Sequence, residues 1–288
     1  MFDNIFAAIE KWMRELLTGM VESNMSTMFT DVNEKTSEIA AQVGRTPQNW
    51  NSSVFSMIQN LSESVVVPIA GIIITLVLCY ELISMLTERN NLHDVDTWMF
   101  FKYFVKAWVA IYLVSNTFTI TMAVFDVGQS VVNSASGIIN GETAIDVSSL
   151  SMQMQAAMAT MEIGELVVLA LETFLVSFCM KIMSVVITVI VYGRMIEIYL
   201  YTSLAPIPFA TMSNREWGHV GTNYFRGLFA LAFQAFLMMV CVAIYAALIS
   251  SVRISSNMHS ALIGVAAYTV ILCFSPVSYT HLTLPTKA

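Results

Sequence analysis

"VVVPIAGIIITLVLCYELISM", residues 65 to 85, decides the fold class. Glu81 is its one charged residue, and the stretch has the length of about 20 residues that carries a helix across a hydrocarbon core. Working outward from it, the same pattern recurs at Phe100–Phe125, Leu166–Tyr192, Ile196–Met212, Phe225–Ile249 and His259–Ser275, with the first run reaching Leu86. The segment 196–212 is short and interrupted by Pro206 and Pro208, so it reads as spanning or re-entrant. Lipid offers no partner to an open backbone, which leaves helices or a closed barrel. The runs are far longer and more continuous than the roughly 10-residue alternating strands of a barrel. The sequence therefore predicts an all-α, polytopic transmembrane helical bundle of five or six spans.

Composition agrees. The 288-residue chain is 57% hydrophobic and 11% charged, with a mean hydropathy of +0.70. Soluble domains average about 45–50% apolar and about 25% charged residues. Cys79, Cys179, Cys241 and Cys273 fall in four different spans, where a thiol behaves as a small hydrophobe. None has a CxxC neighbour, and His93, His219, His259 and His281 are scattered, so no disulfide framework, metal site or cofactor is indicated.

Orientation follows from Lys and Arg in the loops. Residues 126–165 carry Asp126, Glu142, Asp146, Glu162 and Glu165 but no basic residue. The preceding loop has Arg89, with Lys102 and Lys106 just inside the next span. This places Thr87–Met99 in the cytoplasm, and both the 126–165 loop and the amino terminus outside. Arg194 falls on the cytoplasmic side, as does Arg253 if all six runs span, whereas Arg215 and Arg226 fall outside, against the rule.

The opening "MFDNIFAAIEKWMRELLTGM" is amphipathic. At 100° per residue, Phe2, Ile5, Phe6, Ile9, Trp12, Met13, Leu16, Leu17 and Met20 share an arc of about 140°. Glu10, Lys11, Arg14 and Glu15 interrupt what would be the apolar core of a signal peptide, so it is not one. The polar face nets one negative charge, which favours docking on protein over attraction to anionic lipid. Asp31 with Glu34 predicts a second helix start, Gly44 a stop, and Thr46-Pro47 a third start. Residues 1–63 thus read as an extracytoplasmic helical cap, and 64–276 as the transmembrane bundle. "VSYTHLTLPT", residues 277–286, resembles a translated sequencing adapter, and 277–288 is set aside as non-native.

Charges within spans are costly, at least about 2.5–3.5 kcal/mol at a helix centre on insertion scales. Glu172 and Lys181 are nine residues apart on one helix, on opposite sides, so each needs a partner elsewhere. Glu81 suits Lys181 as a partner, which makes Glu81, Glu172 and Lys181 candidates for buried-charge or channel-lining groups. Lys102 and Lys106 read as snorkelling toward headgroups, and Arg194 with Glu197 as a local i,i+3 pair. Pro206 and Pro208 free backbone carbonyls that need protein or a wet cavity. Asn214, Arg215 and Trp217 follow as an interfacial anchor or partner contact.

Enzyme readings find no footing. HExxH, GxSxG, GxxxxGK[ST] and GxGxxG are all absent. Ser177 and Ser184 flank Lys181, a spacing that packing explains better than a catalytic dyad. Met154, Met158 and Met161 make one helical stripe, better read as a packing face than a copper site. The net charge of −7 argues against a large phosphate-binding surface.

Four stretches carry a resemblance. They are "MFDNIFAAIEKWMRELLTGM", "VVVPIAGIIITLVLCYELISM", "CMKIMSVVITVIVYGRMIEIYLYTSLAPIPFATMSNREWG" and "RGLFALAFQAFLMMVCVAIYA". With them, residues 1–275 resemble the TrbL/VirB-type polytopic membrane subunits of conjugative type IV secretion systems. The version they look like is that of Gram-positive integrative conjugative elements. The resemblance implies a non-enzymatic scaffold or channel subunit in the bacterial plasma membrane, present as a homo-oligomer. Its partners would be secretion ATPases and a coupling protein, and direct DNA contact is left undecided. The alternative is a secondary transporter, which usually shows paired broken helices in two repeats, and an intramembrane enzyme comes third. A secretion subunit should purify with machine components, and a carrier or enzyme alone.

Overall fold

In the computed structural model, residues 2–87, 97–139, 147–214, 216–250 and 258–283 are described, and among them every regular element is helical. The elements are α1 (Phe2–Val43), α2 (Pro47–Trp50), α3 (Ser52–Leu61), a π-helical turn (Ser62–Val66), α4 (Val67–Thr87), α5 (Thr97–Ser115) and α6 (Thr117–Ile139). They continue as α7 (Val147–Met158), α8 (Ile163–Ser203), α9 (Pro206–Thr211), α10 (Gly218–Ser250) and α11 (Met258–Thr283). Four stretches are long and apolar enough to cross a membrane: Ser52–Thr87, Thr97–Ser115, Ile163–Ser203 and Gly218–Tyr245. The apolar part of α11, Met258–Ile271, is a shorter fifth. These spans expose apolar side chains such as Ile72, Leu76, Leu171, Phe174 and Val185, as lipid-facing helices do.

The chain divides into two compact units. One contains residues 1–43, 132–191 and 236–279. In it α1 packs on α7 through buried Val21, Met25, Met28, Met154 and Met158, so the methionine stripe is indeed a packing face. Arg14 donates to the Met161 carbonyl at 2.7 Å, and further along Asn24 donates to the Thr173 hydroxyl at 3.5 Å while Ser177 donates to the Asn24 carbonyl at 3.3 Å. Both helices advance together through these contacts, so α1 runs parallel to the start of α8. Glu22 accepts from Ser151 (3.2 Å) and Gln155 (2.6 Å) of α7.

The other unit contains residues 44–131 and 192–235. Its core is Ala70, Ile74 and Leu78 of α4, Ala110 and Val114 of α5, Ala205 and Phe209 around α9, and Tyr224, Leu228 and Leu231 of α10. Local chemistry sets the boundaries. Thr46 caps α2 by accepting from the Asn49 amide at 3.2 Å, and Pro47 takes the first helical position. Asn51 then caps α3 by accepting from the Val54 amide at 3.1 Å. Pro68 cannot donate to the carbonyl four residues back, and the π-helical turn just before it absorbs the mismatch, with the Val67 amide reaching Ser62. Trp50 packs edge-on against Tyr192 (5.5 Å), and Tyr199 donates to the Pro47 carbonyl at 2.6 Å.

Three expected boundaries are corrected. Asp31 starts no helix: α1 runs unbroken to Val43, because no Gly or Pro lies between Gly19 and Gly44 to stop it. The expected span Phe100–Phe125 is two helices, interrupted at Asn116. There Asn116 and Thr117 turn their side chains back on the carbonyls of Tyr112, Leu113 and Val114, a competition that bends helices. Residues 196–212 are no separate span either. Positions up to Ser203 continue α8, and only the six residues of α9 follow the break.

Candidate functional site

Faces of α4 and α5 bring charge into the second unit. On α4 the buried positions Ala70, Ile74, Val77 and Leu78 share a face that continues to Glu81. On α5 the face running through Tyr103, Lys106, Ala107 and Ala110 turns the same way. Lys106 Nζ meets Glu81 Oε1 at 2.5 Å, with the side chains 39% and 14% exposed. Each charge compensates the other there, so that neither is left unpaired on a surface turned toward a neighbouring helix. Glu81 is thus engaged by Lys106, where the sequence suggested Lys181. Tyr103 donates to the Leu78 carbonyl at 3.0 Å and ties the same two helices.

The segment after α9 closes onto this pair. Asn214 is buried and donates to Glu81 Oε2 at 3.3 Å. Its own side-chain oxygen accepts from the backbone amides of Glu216 (2.7 Å) and Trp217 (3.1 Å), capping α10. Tyr80 donates to Glu216 at 3.1 Å and stacks on Trp217 at 5.7 Å. Tyr80, Glu81, Tyr103, Lys106, Asn214 and Glu216 line a cavity of about 460 Å³, to which Ser84, Met85 and Lys102 also contribute. Glu81, Asn214 and Trp217 are therefore brought together, while Arg215 lies outside the described residues.

The two prolines act differently from expectation. Pro206 and Pro208 leave the Thr202 and Leu204 carbonyls without their helical donors, but the amides of Ala205 and Ile207 take them at 3.2 Å each. The break is repaired by tighter i−3 bonds, so no freed carbonyl of this pair is offered to a channel. Pro206, Phe209 and Ala210 are buried, and α9 packs against both α4 and α5. A Cβ at Gly221 would lie 2.5 Å from the Pro208 carbonyl, so α10 can approach α9 only with glycine there. Tyr201 and Tyr224 stack at 4.4 Å, and each hydroxyl donates to the other's carbonyl, at 3.1 and 2.8 Å. Arg194 forms no ion pair with Glu197. It is 7% exposed, its Nη1 rests 3.9 Å from Met195 sulfur, and its Nε has no partner.

The description "TrbL/VirB6 plasmid conjugal transfer like protein" belongs to a family model that matches residues 32–206, well over half of the chain. The chain belongs to the TrbL/VirB6 conjugal-transfer family. It is accordingly a multi-pass membrane component of a conjugative type IV secretion system, working with other components of that machine, in a family not known for enzymes. No curated protein sequence and no solved structure matches it. The family match takes in Glu81, Lys106, Glu172, Lys181, Arg194 and Pro206, and stops short of Asn214 and of α10 and α11.

Elsewhere in this TrbL/VirB6-family chain the remaining candidates are separate. In the first unit Glu172 pairs with His259 of α11 at 2.5 Å, a partner that no spacing in the sequence reveals. Lys181 is exposed, and Ser177 is committed to the Asn24 carbonyl. On α1, Ile5, Phe6, Ile9, Trp12 and Leu16 are exposed and Met13 and Leu17 half-buried, while the Phe2 side chain lies outside the described residues. Lys106, read from the sequence as snorkelling, instead falls on the face of Tyr103 and Ala110 and pairs with Glu81. The roles of Tyr80, Glu216 and His259 were not legible in the sequence.

Proposed function

We propose that this chain is a membrane scaffold subunit of the conjugative machine, with α9 as a wedge that fixes the arrangement of α4, α5 and α10. The observation that carries this reading is the cluster Glu81–Lys106–Asn214. It fastens the segment after the broken helix to Glu81 of α4, which in turn pairs with Lys106 of the next span, α5. Self-satisfied carbonyls and buried α9 residues favour a rigid element over a solvated ion path. The amino terminus is extracytoplasmic in this proposal. Lys102 and Lys106 mark the end of α4 and α5 that faces the cytoplasm, and Asn214 and Glu216 sit at that same end. Without 196–212 as a crossing, Arg215 and Arg226 return to the cytoplasmic side, while Arg253 moves outside. The subunit would assemble in several copies beside the secretion ATPases and the coupling protein, which supply the energy.

The test is conjugation frequency from a donor carrying an in-frame deletion of the gene, then restored with the full-length natural version. Transfer should be lost and then rescued, and the ATPases should co-purify with the restored subunit. Unchanged transfer in the deletion strain would sink the proposal.

A further inference from the structure

The cavity beside Glu81 carries one cation and one anion that the cluster does not use. Glu81 is neutralised by Lys106 and further held by Asn214. Lys102 Nζ is held 5.6 Å over the Trp98 ring, with no carboxylate partner among the described residues. In the lining of the same cavity the exposed Glu216 carboxylate accepts from the Tyr80 hydroxyl alone among side chains of the described residues. The cavity is lined by the last turns of α4, from Tyr80 to Met85, and the first half of α5, from Lys102 to Lys106, the end of these helices that the lysines assign to the cytoplasmic side. Tyr80 lines the cavity, Trp217 stacks on Tyr80 and Trp98 lies under Lys102, aromatic residues of the kind enriched at membrane–water interfaces.

We propose that this cavity binds the phosphate-and-ammonium group of an aminophospholipid. Lys102 would take the phosphate, and Glu216 would accept hydrogen bonds from the primary ammonium. Anionic headgroups without an amine satisfy Lys102 but meet repulsion at Glu216. A quaternary ammonium offers Glu216 no N–H. The volume of about 460 Å³ falls within the roughly 300–1,000 Å³ of small-molecule sites. Acyl chains would lie along the exposed apolar face of α5, formed by Phe101, Phe104, Val105 and Trp108. The proposal rests on the membrane setting of the chain and is independent of the scaffold reading.

Native mass spectrometry of the full-length chain, exchanged into micelles with equal amounts of phosphatidylethanolamine, phosphatidylcholine and phosphatidylglycerol, tests it. Phosphatidylethanolamine should be retained preferentially, about tenfold less in a K102A/E216A chain, and normally in K102R. K102M and E216Q, each at an exposed position, serve if the double variant misfolds, and each should lower retention. Soluble phosphoethanolamine competing as well as the lipid would support the site chemistry and assign it a soluble occupant. Competition only by the diacyl lipid would assign it to the bilayer. Equal retention of the three lipids, a preference for phosphatidylglycerol, or full retention by K102A/E216A with normal thermal unfolding would overturn the proposal.

Discussion

Glu81 and Lys106 show how much one residue's facing decides. Read singly, each is a charge near a span end with an easy escape to the headgroups. Placed on the inward faces of α4 and α5, they are 2.5 Å apart and Asn214 adds a third contact. Removing one partner strands the other in a half-buried setting, at a cost of about 1–3 kcal/mol. E81Q and K106M should each lower the thermal unfolding midpoint in detergent, and the double variant should lose clearly less than the sum of the two. Strict additivity would show that the pair is not coupled. The pairing of Glu172 with His259 belongs to the same class, but it joins positions 87 apart in sequence and no local pattern announces it.

Among the helices, Gly44 and Thr46-Pro47 mark boundaries that the sequence announces and the fold uses, whereas the cap at Asn51, which splits the stretch after Pro47 into α2 and α3, was not announced. Asp31 and Glu34 have the spacing of a helix start, yet a capping signature inside an uninterrupted helix-forming stretch has nothing to stop the preceding helix. The interruption at Asn116 was hidden because apolar residues continue on both sides of it. Close approach between elements is where substitution should tell. A Cβ at Gly128 of α6 would stand 2.8 Å from the Ala232 carbonyl of α10, whereas one at Gly71 of α4 meets nothing within 4 Å. Gly128→Ala should therefore destabilise by about 1–3 kcal/mol. Gly71→Ala should be neutral or stabilise by about 0.5–1 kcal/mol through helix propensity. Thermal unfolding of the two variants side by side checks this, and equal midpoints would count against the α6–α10 contact.

At the scale of the whole molecule, the apolar runs and the charge bias predict which ends face the cytoplasm. Thr97 opens α5 beside the lysines, and Met152 is 67% exposed on α7. In a cysteine-free background, a T97C chain should react with a membrane-impermeant maleimide only after permeabilisation, and an M152C chain in intact cells. The opposite pattern would invert the proposed orientation.

By itself the sequence determined that this protein is a helical membrane protein, because a long apolar run in lipid has no other way to satisfy its backbone. It also carried the family resemblance, through stretches that lie largely within single helices. Only the tertiary structure decided that 196–212 is the end of one helix and a buried wedge, that Lys106 rather than Lys181 answers Glu81, and that Glu216 and Lys102 line one cavity. Hydropathy and spacing report on which side of its own helix a residue sits. Which other helix stands on that side depends on packing between segments far apart in the chain.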